Sequence, residues 1–212
     1  MHIGTLTIRD RVFAVTSATL HGYITTAGDD WACEWHVEID TEERRFAVDD
    51  EPDVSLPWKP AAYVHHLRAG LKSWRDFDGA AFEGEDEQGP ALSVLRGETA
   101  YRLYVVEHAE VKRNRLEFSN RDGNVFDLVW TGAAEVFAGE EYDDDVPFRV
   151  EAKIRFGHVA VSLSTRDEDA PPPPVAEVFA KALDLAAFRQ GPTRESRDSS
   201  GARTWRTEFE PV

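Results

Sequence analysis

The sequence predicts an α+β protein built predominantly from antiparallel β-structure, a twisted sandwich or half-open barrel with one C-terminal helix. Three observations predict it. Trp31, Cys33, Trp35, Val37 and Ile39 alternate with Glu34, His36 and Glu38, and a period of two belongs to a strand with one apolar and one wet face. Phe148, Val150, Ala152, Ile154 and Phe156 alternate in the same way with Arg149, Glu151, Lys153 and Arg155. Asp122-Gly123, set between Leu116–Phe118 and Val125–Trp130, is a pair favoured in tight hairpin turns that need positive φ.

Around these anchors the elements follow in order. Gly4–Ile8 and Val12–Leu20 are rich in Thr, Val and Ile and read as strands, and Thr26–Asp30 carries turn residues ahead of the Trp31–Ile39 strand. The opening is therefore a meander. Arg44–Val48 predicts a short strand. Asp49–Asp53 and the passage through Pro57 and Pro60 read as a surface excursion, because proline cannot donate to a central ladder. Residues 61–71 fit either a strand or a short helix. Leu71, Trp74, Phe77 and Phe82 then fall at irregular spacing before the polar stretch Glu83–Pro90, a candidate seam between two halves.

Strands are expected again over 91–95, 101–107, 111–119 and 125–136, then a loop over Glu140–Asp145 and the strand Phe148–Phe156. Gly157-His158 reads as a turn into an antiparallel partner over 159–163. Pro171–Pro174 makes a stiff spacer, and Val178, Phe179, Ala182, Leu183 and Ala186 give Val175–Gln190 helical spacing between Pro174 and Gly191-Pro192. Thr193–Gly201 reads as a polar, mobile tail, and Thr204–Phe209 alternates as a last strand. The expected organisation is a β-rich domain over 1–170 with residues 171–212 packed on it.

A chain of 212 residues suits one domain, and 42% hydrophobic with 11% aromatic residues exceeds what disordered chains carry. No apolar stretch approaches the roughly 20 residues that span a bilayer. The N-terminus lacks a basic start and a small-residue cleavage site, so no secretory signal is expected. Cys33 is the only cysteine and cannot form an internal disulfide, which makes a reducing cytoplasm the expected compartment. The formal charge of −16 repels phosphate backbones and anionic lipid. It argues against nucleic acid and membrane, favours a basic protein surface as partner, and also serves solubility.

Candidate chemistry is sparse. Cys33 falls on the apolar side of its strand, where burial raises a thiol pKa, so it reads as core and not as a nucleophile. The seven histidines form no His-Glu-x-x-His motif, and His65 and His66 would face opposite sides of a strand. No metal site is assigned; a zinc site could arise only from residues distant in sequence. The acidic runs 49–53, 83–87 and 140–145 lack the spacing of a calcium loop. No phosphate loop, dinucleotide fingerprint or nucleophile elbow is present, so no catalytic residue and no cofactor is assigned. Paired carboxylates are defined by separation in space and cannot be read here.

Trp58, between Pro57 and Lys59, reads either as an indole in an exposed loop and a candidate contact residue, or as a ring buried against the sheet. The functional expectation is a non-enzymatic acidic binding protein, such as an inhibitor or a toxin-neutralising immunity protein, that masks a basic protein surface. Its candidate contact residues are Asp49, Asp50, Glu51, Asp53 and Trp58, with Glu140, Glu141, Asp143, Asp144 and Asp145. The alternatives are a hydrolase with a carboxylate or calcium-dependent site assembled from distant residues, and a structural subunit joined through an exposed sheet edge. Strand order and oligomeric state are not set by the sequence.

Overall fold

A computed structural model describes residues 3–27, 30–48, 51–84, 98–105, 108–138, 141–167, 171, 174–197 and 201–212. The alternating segments form strands as expected. β1 (Gly4–Ile8), β2 (Arg11–Ala27) and β3 (Asp30–Thr41) make the opening meander. β4 (Arg44–Val48) and β5 (Glu51–Trp58) form a separate two-stranded ribbon. They are followed by β6 (Ala61–Leu67), β7 (Ala81–Gly84), β8 (Ala100–Tyr104) and β9 (His108–Ala109). β10 (Val111–Asp122) and β11 (Val125–Ala138) meet at the Asp122-Gly123 turn, where Gly123 has φ 58°. β12 (Glu141–Thr165), the helix α1 (Val175–Ala182), β13 (Phe188–Gln190), β14 (Arg194–Arg197) and β15 (Arg203–Pro211) complete the chain.

The main sheet runs β7-β10-β11-β12-β1-β2-β3-β6-β8-β9, with β15 on β12 and with β13 and β14 on β15. Its pairings are antiparallel except that of β12 with β2. The exception has a simple cause. β1 is five residues long, and past Gly4 its two neighbours close directly on each other, from Arg155 opposite Thr19 to Val161 opposite Ile24. On the other edge of β12, β15 takes over where β11 ends, with Val159 opposite Phe209.

The sheet curls into a half-barrel. Tyr101 of β8 lies 6.3 Å from the Trp130 ring of β11, and a Cβ on Gly84 of β7 would sit 2.6 Å from the Tyr101 Oη. The ends of the strand order therefore approach each other. The interior is occupied by rings: Trp35 meets Phe77 edge-on at 5.1 Å, Phe77 meets Phe118 at 4.8 Å, and Trp74 stacks on Phe156 at 5.6 Å. Edge-on and offset contacts are the geometries that aromatic quadrupoles favour.

The C-terminal segment fastens to the turn at 74–77. Trp74 Nε1 donates to the Ala187 carbonyl at 3.1 Å, the Asp184 amide donates to the Lys72 carbonyl at 2.8 Å, and Phe179 of α1 stacks on Phe209 at 4.0 Å.

Several expectations need correction. The helix stops at Ala182 instead of Gln190, because Leu183 is extended and the Asp184 carboxylate accepts from the Ala186 amide at 3.0 Å, opening a short 3-10 turn before β13. Aspartate competes in this way for backbone donors. Gly157-His158 is no turn: β12 passes through it, and the two residues are absorbed as a register shift against β2. Residues 61–67 are strand, residues 141–145 belong to β12, and residues 194–197 pair with β15 instead of forming a loose tail. Residues 85–97, which include most of the expected seam and the strand over 91–95, lie outside the described residues. Among the described residues no helix is long and apolar enough to cross a membrane.

Where β12 closes on β2, Gly22 has no room for a side chain. An added Cβ would stand 2.8 Å from Cys33 Sγ, 3.0 Å from a Val159 methyl and 3.2 Å from the Trp35 ring. Gly22→Ala is expected to lower stability by about 1–3 kcal/mol through overpacking. Adding Cys33→Ala should recover part of that loss, since Sγ is the nearest obstacle; urea unfolding of the single and double variants checks both.

Candidate functional site

The same period of two that sends Cys33, Trp35, Val37 and Ile39 inward sends Glu34, His36 and Glu38 to the outer face of β3. The register places His21 of β2 directly opposite His36, and Tyr23 opposite Glu34. On the other side, β6 pairs Leu67 with Trp35 and Val64 with Val37, so the single residue His36 faces two residues, His65 and His66. This is a β-bulge. His66 has φ 58°, and this left-handed residue breaks the alternation. His65 and His66, expected on opposite faces, both come to His36.

The result is a row of imidazoles across four strands. The His36 ring lies 5.4 Å from His21, 5.1 Å from His65 and 5.3 Å from His66, and His21 lies 6.0 Å from His158 of β12. Five of the seven histidines are in this row. The Tyr23 ring stands edge-on to His36 at 4.9 Å.

Burial and mutual repulsion keep the centre of the row neutral. Burial, then the neighbouring His65, His21 and His66, lower the pKa of His36 to about 3. Burial, then His158, His65 and Arg206, lower that of His21 to about 4. For His65 the causes are burial, then Arg102 and His66, and the value is again about 4. Like charges and a poor solvent act in the same direction on a base. The His158 Nε2 is buried with no hydrogen-bond partner in the described structure.

Glu34 is the buried charge beside this row, with 4% exposure. Its Oε1 accepts from Arg68 Nη2 at 2.6 Å and Nε at 3.0 Å, and its Oε2 lies 2.7 Å from His66 Nδ1. Burial alone would raise its pKa, but the hydrogen bonds and charges of His66 and Arg68 outweigh it and hold the carboxyl below its ordinary range. Ligating atoms of Glu34, His36 and His66 all lie within 4.8 Å of one another. The three residues line an outer-face groove of about 610 Å³ together with Tyr23, Thr25 and Trp31. Two imidazoles and a carboxylate are a donor set for a transition metal. Cys33 belongs to the inner face, where burial and then the nearby Glu34 carboxylate push its thiol pKa far up, so it offers no nucleophile.

No family model, no curated protein and no solved structure matches this chain. Function is therefore argued from its own geometry.

Of the residues singled out from the sequence, Trp58, Asp144 and Asp145 lie elsewhere, near the β1–β2 turn. There the Arg9 amide donates to the Pro147 carbonyl of β12 at 3.1 Å. Arg44 Nη1 donates to the Val12 carbonyl at 2.5 Å, which fixes the base of the β4–β5 ribbon. Asp144 and Asp145 are exposed, and Asp145 accepts from Arg113 Nη2 at 2.5 Å. Glu51, Asp53, Glu141 and Asp143 are placed by their strand backbone only, and Asp49, Asp50 and Glu140 lie outside the described residues.

Trp58 is not in an exposed loop. It ends β5 and is 4% exposed, stacked on Phe13 at 6.4 Å, against Phe46 at 5.5 Å, with the Arg11 guanidinium 4.2 Å from its ring. Pro57 is tolerated because the ribbon has a free edge, and the indole locks that ribbon to the main sheet instead of facing a partner.

The imidazole row was missed because its members are brought together by strand order and by one bulge, neither visible in local spacing. The one available signal was the outward position of His36 on the Trp31–Ile39 strand.

The depressed imidazoles set a pH dependence. In the unfolded chain a histidine takes up its proton near pH 6.5, whereas the folded His21, His36 and His65 refuse it until about pH 4, 3 and 4. Over that window the unfolded state binds more protons, so stability falls as the pH drops. The groups facing the row, Glu34, Glu38, His66, His158, Arg68, Arg102 and Arg206, are common to both chains in the comparison. Urea unfolding of chelator-treated protein between about pH 7 and pH 5 should show this fall, with a shallower slope in His21→Gln/His65→Gln.

Proposed function

We propose that the protein is a non-enzymatic binding protein whose acidic end covers a basic surface on another protein, as an inhibitor or a toxin-neutralising immunity protein does. The observation that supports this reading is a group of exposed carboxylates near the β1–β2 turn at one end of the sheet. β12 at Pro147 and the base of the β4–β5 ribbon both attach beside the Arg9–Asp10 turn. Exposed Asp10, Glu43, Asp144 and Asp145 stand at this end.

A surplus of forty acidic over twenty-four basic side chains gives that end a long-range field that speeds encounter with a cationic partner and turns away nucleic acid and anionic lipid. The rigid β scaffold supports the same reading, because a pre-formed surface loses little freedom on binding. The sole cysteine, buried in the core, suits a reducing cytoplasm.

The test is a purified partner, captured from the native cell and then studied alone. Its contact surface should be basic, and its affinity should fall steeply as salt rises. Asp10→Lys/Glu43→Lys/Asp144→Lys should slow association by roughly tenfold or more. A partner with a neutral contact surface, or one bound equally well by this variant and at high salt, would overturn the reading.

A further inference from the structure

We infer that Glu34, His36 and His66 form a site for one divalent transition-metal ion of the zinc class, open to the outer-face groove. This site is separate from the acidic end and does not depend on the partner proposed for it.

The geometry is close to what such an ion requires. Bonds of about 2.0–2.2 Å hold donor atoms roughly 3–4 Å apart around a tetrahedral centre. The three ligating atoms already lie within 4.8 Å of one another, on two adjacent strands whose register is fixed. Glu34 Oε2 and His66 Nδ1 share a hydrogen bond at 2.7 Å, so an ion entering there replaces a proton and needs their separation to widen by about an ångström.

The donor chemistry selects the class of ion. Calcium and magnesium take oxygen ligands, whereas imidazole nitrogen suits zinc, cobalt, nickel and copper.

The supporting groups are in place as well. Arg68 grips Oε1 with two nitrogens and leaves Oε2 turned toward His66. An outer partner that orients a ligating carboxylate is a regular part of metal sites. Its positive charge opposes the ion, but the guanidinium is half exposed and solvent screens it. His21 and His65 flank the His36 ring and fix its plane. The groove supplies the entry path, and three protein ligands leave a fourth position facing it for water or for a side chain of another molecule.

The experiment uses the full chain stripped of metal by a chelator. Calorimetric titration with Zn²⁺ should give one site per chain, and Co²⁺ should give the visible absorption of a four-coordinate ion with nitrogen donors. His66→Asn removes an imidazole while keeping a residue that tolerates positive φ, and it should weaken Zn²⁺ binding by more than about 100-fold. His36→Gln should do the same. Asp144→Asn/Asp145→Asn and His158→Gln should leave it unchanged, and thermal melts of the metal-free variants confirm that each is folded. Should His36→Gln fail to fold, His66→Asn decides alone. The inference is overturned if Zn²⁺ does not saturate a single site, if His66→Asn binds as the parent does, if the Asp144/Asp145 variant loses the ion, or if Ca²⁺ competes at equal concentration.

Discussion

One end of the imidazole row and the close packing at Gly22 follow from the closing of β12 onto β2 beyond the end of β1. β1 enters between them as a wedge, with Gly4 so near the β12 backbone that an added Cβ would stand 2.1 Å from the Glu151 carbonyl oxygen. Where the wedge ends, the two long strands must find new partners for their ladder groups, and the nearest are each other's. That pairing is parallel, unlike the rest of the described sheet, and it carries His158 across to His21. It also brings Val159 over Gly22 so closely that only glycine fits. One short strand thereby sets both a tight point of the core and one end of the imidazole row.

The chain accepts two local costs in this region, and both fall at the same place. A left-handed conformation at a residue with a side chain costs roughly 1–2 kcal/mol, and His66 adopts it. A buried carboxylate loses its hydration, and Glu34 recovers interaction only through Arg68 and His66. Glycine at 66, or an apolar residue at 34, would relieve either cost without disturbing the inward-facing pattern. Both costs fall beside the imidazole row, at the candidate site.

The strands of the fold were legible because burial on one face writes a period of two into the sequence, as at Trp31–Ile39 and Phe148–Phe156, and because Asp122-Gly123 has the turn chemistry its hairpin needs. Other features depend on neighbours that local spacing does not contain. Gly157-His158 has turn composition, yet the chain runs straight on because β2 and β15 are there to pair with residues 159–165. The 3.6-residue rhythm continues past Ala182, but the Asp184 carboxylate and the Lys72 carbonyl capture the backbone amides that would have extended the helix. Trp58 follows an acidic stretch and sits among prolines, and only the arrival of Phe13 and Arg11 from β2 buries it. The candidate site was the least legible part. Its histidines stand on four strands, and the register that joins them includes a bulge that reverses where His66 points.

A curled sheet often encloses a ligand, and here the enclosed space is taken by side chains. Trp35, Phe77, Phe118, Phe126 and Phe156 are buried at its centre, and the segment from α1 to β13 is tied across Trp74. Among the described residues, the most developed polar cluster sits on the outside, on the reverse of the strand that anchors the core. Trp35 points inward between Glu34 and His36, which point outward. A fully buried indole wedged against Phe77 and Phe156 gives that stretch of β3 little freedom to twist or slide. The alternation that keeps the two faces chemically separate also makes the rigidity of one the positional accuracy of the other.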